Sequence, residues 1–277
     1  MEIEIREMEK RKGSFILKNS SPAMANALRR TMLTDIPKMA IDKVEFHLGP
    51  IMVDDKEYES VTPLFDEIVA HRLGMVPVPT DHELFTFQEG CACGGEGCPS
   101  CTIMYSLNKI GPCTVLSGDM MPLGNAQLAV KDQFIPIVEL TDGQAVLIYA
   151  TAVMGTARKH AKWQAAFGVG YKYLPKVTID EGKAGDPNTL KCVEICPKNV
   201  FEIKNGKLTA RDILSCGTCK ECENVSRGAV KISADDTAFY FRYETDGSMT
   251  ARQVLDKATE ILSKQTEGVF AHIEESI

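Results

Sequence analysis

Charged and apolar residues alternate over 2–17, with Ile3 and Ile5 before a Lys12-Gly13-Ser14 turn and Phe15 and Leu17 after it. A period of two predicts a hairpin of half-buried strands. The period then lengthens. Ser20 or Ser21 can cap a helix, Pro22 suits its first turn, and Met24, Ala27, Leu28, Thr31 and Met32 share a face up to about Leu33. Asp35-Ile36-Pro37 ends it, because the residue before a proline is pushed out of the helical region. Strand-like runs follow at 40–48 and 51–53. Residues 62–74 read as a short helix, with Thr62 as cap, Pro63 at the first position, Asp66 and Glu67 at the positive end, His71 and Arg72 at the negative end, and Gly74 as a left-handed close. Residues 102–155 read as strands punctuated by Gly111-Pro112, Met121-Pro122 and Asp142-Gly143, and Phe239 to Glu244 as one more. From Ser248 to about Gln265, Val254, Leu255, Ala258, Ile261 and Leu262 recur at helical spacing, the strongest amphipathic stripe in the chain. The first and last helices can bury their apolar faces on each other or on a second chain, and pattern alone leaves both open.

At 277 residues the chain has room for about two domains, and its 44% apolar content without low-complexity tracts sets it apart from disordered chains. Thirty-one basic against thirty-eight acidic residues give a net charge of -7. A protein that grips nucleic acid by neutralising phosphates carries a basic excess or stripe. The densest basic runs here are Lys10-Arg11-Lys12 and Arg158-Lys159-His160-Ala161-Lys162, so direct nucleic-acid contact is not expected. The segment MEIEIREMEKRKG has no signal core and no run is long enough for a membrane span, so a cytoplasmic protein without membrane contact is expected.

Ten cysteines in such a compartment point to metals or clusters rather than disulfides. Cys216-Gly-Thr-Cys219-Lys-Glu-Cys222, preceded by Cys196-Pro197, supplies four thiolates in the bacterial ferredoxin pattern for one 4Fe-4S cluster. Zinc on the same four residues is the alternative, since tetrahedral sulfur sites accept either metal. The flanking runs Val200 to Ile203 and Gly228 to Ile232 read as the short strands of such a module. A second cluster would need cysteines at 186, 189, 192 and 226, where the chain has Asp186, Thr189, Cys192 and Ser226, so one cluster is expected. The other group is Cys91-Ala-Cys93-Gly-Gly-Glu-Gly-Cys98-Pro-Ser-Cys101. Its Cys98-x2-Cys101 half has zinc-knuckle spacing, Cys91-x-Cys93 is tighter, and zinc competes there with a plain thiol-rich loop. Neither group offers an open position beside a general base, so both read as structural. Cys113 reads as a core or strand residue.

Catalysis finds little support. The histidines at 47, 71, 82, 160 and 272 are scattered, with no metalloprotease helix and no Ser–Asp partner, and Gly168-Val-Gly170 lacks the rest of a phosphate fingerprint. No catalytic residue is assigned. Trp163, the only tryptophan, reads equally as an interface anchor or a core residue.

Four segments carry a resemblance that covers nearly the whole chain. They are Asn26-Ala27-Leu28-Arg29-Arg30-Thr31-Met32-Leu33, then Asp66 through Pro77 (DEIVAHRLGMVP), then Gly155 with His160-Ala161-Lys162-Trp163, and finally Phe241 through Ser248 (FRYETDGS) leading into the last helix. Together they resemble the D-type family of archaeal DNA-directed RNA polymerase subunits, relatives of the N-terminal region of the bacterial alpha subunit and of the third-largest subunit of eukaryotic RNA polymerase II. The resemblance implies an α+β fold. A discontinuous, alpha-subunit-like dimerisation domain would use 1–41 and 232–277. An inserted, mostly β domain would fill 42–173 and carry the zinc loop 88–101, and a ferredoxin-like iron–sulfur domain would span 180–230.

The implied function is that of a non-catalytic assembly scaffold within a nucleotidyltransferase complex. The chain would form a heterodimer with subunit L, joined by the small subunits N and P, as a platform for the large catalytic subunits. Met24, Ala27, Leu28, Val254, Leu255, Ala258, Ile261 and Leu262 would form the helical seam, and His160, Lys162 and Trp163 a surface facing other subunits. The Cys91–Cys101 group resembles the zinc loop of the eukaryotic relative with one extra residue in its middle gap. A rival reading, a ferredoxin-type electron carrier or redox sensor, leaves most of the chain outside 180–230 unexplained.

Overall fold

The structure is a computed structural model that describes residues 1–275. In chain order come β1 (Glu2–Met8), β2 (Lys12–Lys18), α1 (Pro22–Thr34), β3 (Lys38–Phe46), β4 (Ile51–Val53), β5 (Lys56–Tyr58) and α2 (Asp66–Met75). Then follow β6 (Thr102–Ile110), β7 (Cys113–Leu116), β8 (Met120–Pro122), β9 (Pro136–Leu140), β10 (Ala145–Gly155) and β11 (Ala166–Ile179). The chain continues through α3 (Pro187–Leu190), α4 (Cys192–Ile195), β12 (Phe201–Lys204), β13 (Lys207–Ala210) and α5 (Glu221–Val225), and closes with β14 (Val230–Thr245) and α6 (Ala251–Glu275). The chain divides into two compact units, one of residues 1–7, 14–27 and 170–242, the other of 8–13, 28–169 and the chain from 243 on.

The first unit is built on the sheet β1-β2-β14-β11. β2 departs from the alternation expected of it, because Gly13 through Leu17 are all buried. A strand with neighbours on both edges and cover on both faces tolerates a continuous apolar run. Phe15 stacks on Phe241 with centroids 4.8 Å apart, and Tyr171 lies 5.1 Å from the same ring. The hairpin turn falls at residues 9–11, closed by the Glu9 amide donating to Lys12 O at 2.9 Å, not at the expected Lys12-Gly13-Ser14. Beyond β11, a small core of Cys192, Val200, Phe201, Leu208, Val230 and Ile232 gathers α4, the β12–β13 hairpin and the start of β14. The expected short strand at 228–232 is instead the opening stretch of a sixteen-residue strand.

The second unit holds the antiparallel sheet β3-β10-β6-β8, in which Ile148 of β10 faces Phe46 on one side and Leu107 on the other. Val69, Leu73 and Val76 of the α2 region share its core with Met39, Ile41 and Tyr105. α2 starts at Asp66 rather than Thr62, because the Thr62 hydroxyl donates to Leu64 O at 2.6 Å and Phe65 takes the cap position. Gly74 does not close the helix. It is buried inside it, where a Cβ would lie 3.6 Å from Ile41 O, and Pro77 forces Val76 out to φ -67, ψ 126.

α6 opens with a reciprocal cap. The Thr250 amide donates to Gln253 Oε1 at 2.9 Å, and the Gln253 amide donates back to Thr250 Oγ1 at 3.3 Å. Upstream, a buried Lys38–Asp246 ion pair, with side chains 4% and 9% exposed, anchors the turn into the helix. Lys38 also donates to Gln164 O at 3.2 Å, and the Ser248 hydroxyl donates to Asp246 at 2.6 Å, so both charges are satisfied.

His82 supplies a pH-dependent term. Its Nε2 lies 2.8 Å from Pro37 O, and burial pushes the imidazole below its ordinary pKa. The unfolded chain therefore binds this proton more readily. The His82 contribution is full above the unfolded pKa of about 6.5 and is lost as pH falls through the lower folded value. Urea melts at about pH 7.5 and about pH 5.5 are expected to show a steeper loss of stability in wild type than in His82→Gln. Equal slopes would mean the ring charges freely in the folded chain.

Candidate metal centre and partner-facing surfaces

The loop from Gln88 to Cys101 lacks apolar mass and is shaped by its backbone. Gly94, Gly95 and Gly97 take φ of +69, +88 and +93, conformations that glycine alone adopts without strain. Gln88 Nε2 donates to Gly95 O at 2.7 Å, and the Cys101 amide donates to Cys98 O at 2.9 Å. The result brings four sulfurs together: Cys91 to Cys98 at 3.5 Å, Cys93 to Cys101 at 3.7 Å, Cys98 to Cys101 at 3.9 Å. A tetrahedral ion with bonds of about 2.3 Å to sulfur sets its ligands about 3.8 Å apart. The loop therefore fits a single ion, and Cys91, Cys93, Cys98 and Cys101 form one group able to ligate it.

The same folding makes the thiols unequal. Backbone amides of Cys98 and Gly97 draw Cys93 down to about 6, and the Ser100 amide lowers Cys98. Burial pushes Cys101 up to about 12. An ion would override these differences, because coordination deprotonates each thiol outright.

Cys196, Cys216, Cys219 and Cys222 behave differently. All four line one cavity of about 180 Å³, together with Pro197, Phe201 and Ile232. Among the described residues, no other three ligand atoms pack within 4.8 Å of one another as those of the loop do. Thr218 and Lys220, at φ 54 and 67, bend the chain between the three clustered cysteines, and the Thr218 amide reaches Cys216 Sγ at 3.5 Å.

The positions a second cluster would use have other roles. Asp186 stands at the start of α3, Thr189 is buried, and the Cys192 thiol donates to Cys222 O at 3.5 Å. Ser226 Oγ accepts the Val230 amide at 2.9 Å.

On the helices, Leu28, Val254, Leu255 and Ala258 are buried within this chain, Ala27, Ile261 and Leu262 are half-buried, and Met24 is exposed. α6 runs ten residues past the expected Gln265, and there Val269, Phe270 and Ile273 stand 60%, 62% and 49% exposed. His160 is exposed, and its Nδ1 accepts the Lys162 amide at 3.1 Å. Lys162 pairs with Asp42 and holds its ammonium 4.3 Å over the Trp163 ring. Trp163 itself is 2% exposed, donates to Val153 O at 3.1 Å and packs where any Cβ on Gly155 would overlap it. It is a core residue, so the surface here is presented by His160 and the lysines. The α6 extension goes beyond the sequence expectation, although Val269, Phe270 and Ile273 continue the apolar spacing past Gln265. No helix among the described residues is long and apolar enough to cross a membrane.

The RNA polymerase Rpb3/Rpb11 dimerisation domain matches residues 14–266. DNA-directed RNA polymerase subunit Rpo3 of Picrophilus torridus is 40% identical over 274 residues, spanning 99% of this chain and 100% of that protein. The Rpo3 subunit of Thermoplasma volcanium is 43% identical over 259 residues, 93% of this chain and 94% of its own length. That of Archaeoglobus fulgidus is 38% identical over 275 residues, 99% and 98% of the two lengths. A shared domain across most of the chain, and relatives matched from one unit through the other, mean that the chain belongs to the archaeal RNA polymerase subunit Rpo3 family.

Proposed function

We propose that the chain is a non-catalytic assembly subunit of cytoplasmic DNA-directed RNA polymerase, pairing with the small alpha-like subunit L through α1 and α6. One observation carries this reading. The stripe of Leu255, Ala258, Leu262, Thr266, Val269 and Ile273 advances by three or four residues at each step, yet it is buried at its start and exposed at its end. A helix of 25 residues, about 37 Å long, carries its apolar face beyond its own core, as a helix does when a partner covers the rest. The heterodimer, with subunits N and P, would seat the large catalytic subunits, and no direct nucleic-acid contact is assigned to it. The proposed division is a dimerisation domain from 1–41 and 232–277, an inserted mostly β domain at 42–173 and a ferredoxin-like domain at 180–230.

Two metals complete the reading. Zinc belongs to Cys91, Cys93, Cys98 and Cys101, supported by sulfur spacings of 3.5 to 3.9 Å. One 4Fe-4S cluster belongs to Cys196, Cys216, Cys219 and Cys222, supported by their shared apolar cavity. Both serve structure, since a bound metal contributes folding free energy to segments with small cores.

The test is anaerobic co-expression with subunit L, followed by native mass and metal analysis. A one-to-one heterodimer with about four irons and about one zinc is expected. Cys98→Ser should lose zinc and keep iron, and Cys216→Ser the reverse. A chain that stays monomeric beside subunit L would overturn the scaffold reading whatever its metal content.

A further inference from the structure

Lys172 lies on β11, forty-four residues from Cys216 in sequence, yet its ammonium donates to Cys216 O at 2.8 Å and also to Leu214 O. These carbonyls bracket Ser215, at the end of the short turn Ile213–Ser215 that the Asp212 side chain caps. The chain then enters the cavity as Cys216, the first thiolate of the clustered run. The lysine is half-buried, and its ammonium sits 5.9 Å from the Tyr240 ring, which the Arg242 guanidinium also faces at 5.1 Å. Lys198, Lys220 and Glu221 also line the cavity, but they are exposed and screened by water. Lys172 differs in being fixed at two points. Its hydrogen-bond partners are neutral carbonyls; the Asp212 carboxylate and the Arg242 guanidinium act on it only through space, with opposite signs.

We propose that Lys172 is a positioning residue of the Cys196/Cys216/Cys219/Cys222 site: it pins the Leu214–Cys216 turn to β11 and holds a fixed positive charge beside the Cys216 ligand. The proposal rests on the cluster reading above. Two effects follow from physics alone. A tethered ligand loop releases its metal more slowly, as outer partners of metal ligands generally ensure. A positive charge nearby favours the reduced, more negative form of a cluster, so it raises the midpoint potential.

The experiment compares the full-length wild type with Lys172→Met, Lys172→Gln and Lys172→Arg after anaerobic reconstitution with iron and sulfide. Three quantities are read: iron per chain, the rate of iron transfer to a ferrous chelator, and the midpoint of the one-electron reduction by dithionite. Lys172→Met should release iron about tenfold faster and titrate at a lower midpoint. Lys172→Gln keeps a donor without the charge, so its midpoint should fall while its release stays close to wild type. Lys172→Arg should restore the midpoint. Circular dichroism on each variant separates these effects from unfolding, and if Lys172→Met does not fold, Lys172→Gln carries the comparison. Wild-type release and midpoint in both uncharged variants would overturn the proposal while leaving the cluster in place. A wild-type chain that takes up no iron would overturn the cluster reading and the proposal together.

Discussion

Val269→Ser combined with Phe270→Glu is expected to abolish pairing with subunit L while leaving the isolated chain folded. Both side chains are more than half exposed in the chain alone, so their loss should change its stability by no more than about 0.5 kcal/mol. At an interface the account reverses. Burying a valine and a phenylalanine is worth about 1.5–3 kcal/mol each, and a carboxylate buried without a partner costs several more. A loss of only about 4 kcal/mol already corresponds to about a thousandfold in the dissociation constant. Calorimetry or sedimentation of the purified pair would read this directly, with a urea melt of the variant alone as control. Undiminished affinity in a folded variant would place the partner surface elsewhere.

Phe241→Ala is expected to be the most damaging single truncation in the first unit, at about 3–5 kcal/mol. The ring is fully buried on β14, stacked on Phe15 at an interplanar angle of 6°, and flanked by Tyr171. Removing it leaves a cavity between β2 and β11, whose aromatic partners have rigid bodies and cannot collapse into it. Against the usual 5–15 kcal/mol of a folded domain, that loss approaches unfolding. Phe241→Leu, which keeps most of the volume, should cost clearly less. Equal midpoints for the two variants in denaturant melts would show that the stack matters less than its burial suggests.

Much of this architecture is legible in residue spacing, and the exceptions have identifiable physical causes. The stripe from Val254 to Leu262 announces α6 because its period matches the helix. Its true end escapes the pattern because Thr266 and Gly268 dilute the stripe just where the i,i+4 pairs of Glu260 with Lys264 and Ser263 with Glu267 sustain the helix. Gly74 resembles a helix terminator by composition, but it has no left-handed φ and lies buried inside α2 against Ile41 of β3, and the helix ends only where Pro77 turns Val76 out. β2 reads as half-buried because its charged neighbours in β1 set the period, whereas β14, more than two hundred residues away, covers its other edge.

The metal groups follow the same division. The spacing of Cys91, Cys93, Cys98 and Cys101 announces a ligand loop, and three left-handed glycines make it compact enough for one ion. The spacing of Cys216, Cys219 and Cys222 likewise announces a cluster pattern. Lys172 cannot be found that way, because only the folding of β11 beside the Ile213–Ser215 turn brings it to Cys216. Trp163 is undecidable from sequence, since a tryptophan beside lysines fits a surface or a core. The absence of a side chain at Gly155, which makes room for the indole, decides for the core.

The long strands β11 and β14 have one more consequence. They lie side by side in the first unit's sheet, and where they leave it the Asp180 amide donates to Ala229 O at 2.8 Å. The roughly fifty residues between depart and return through a gap one hydrogen bond wide. Such a segment is a cassette. A tight turn joining the two strand ends would excise it without altering the strand order of the sheet, so the segment that carries Cys196, Cys216, Cys219 and Cys222 can be enlarged, reduced or discarded over evolutionary time while the sheet is inherited intact.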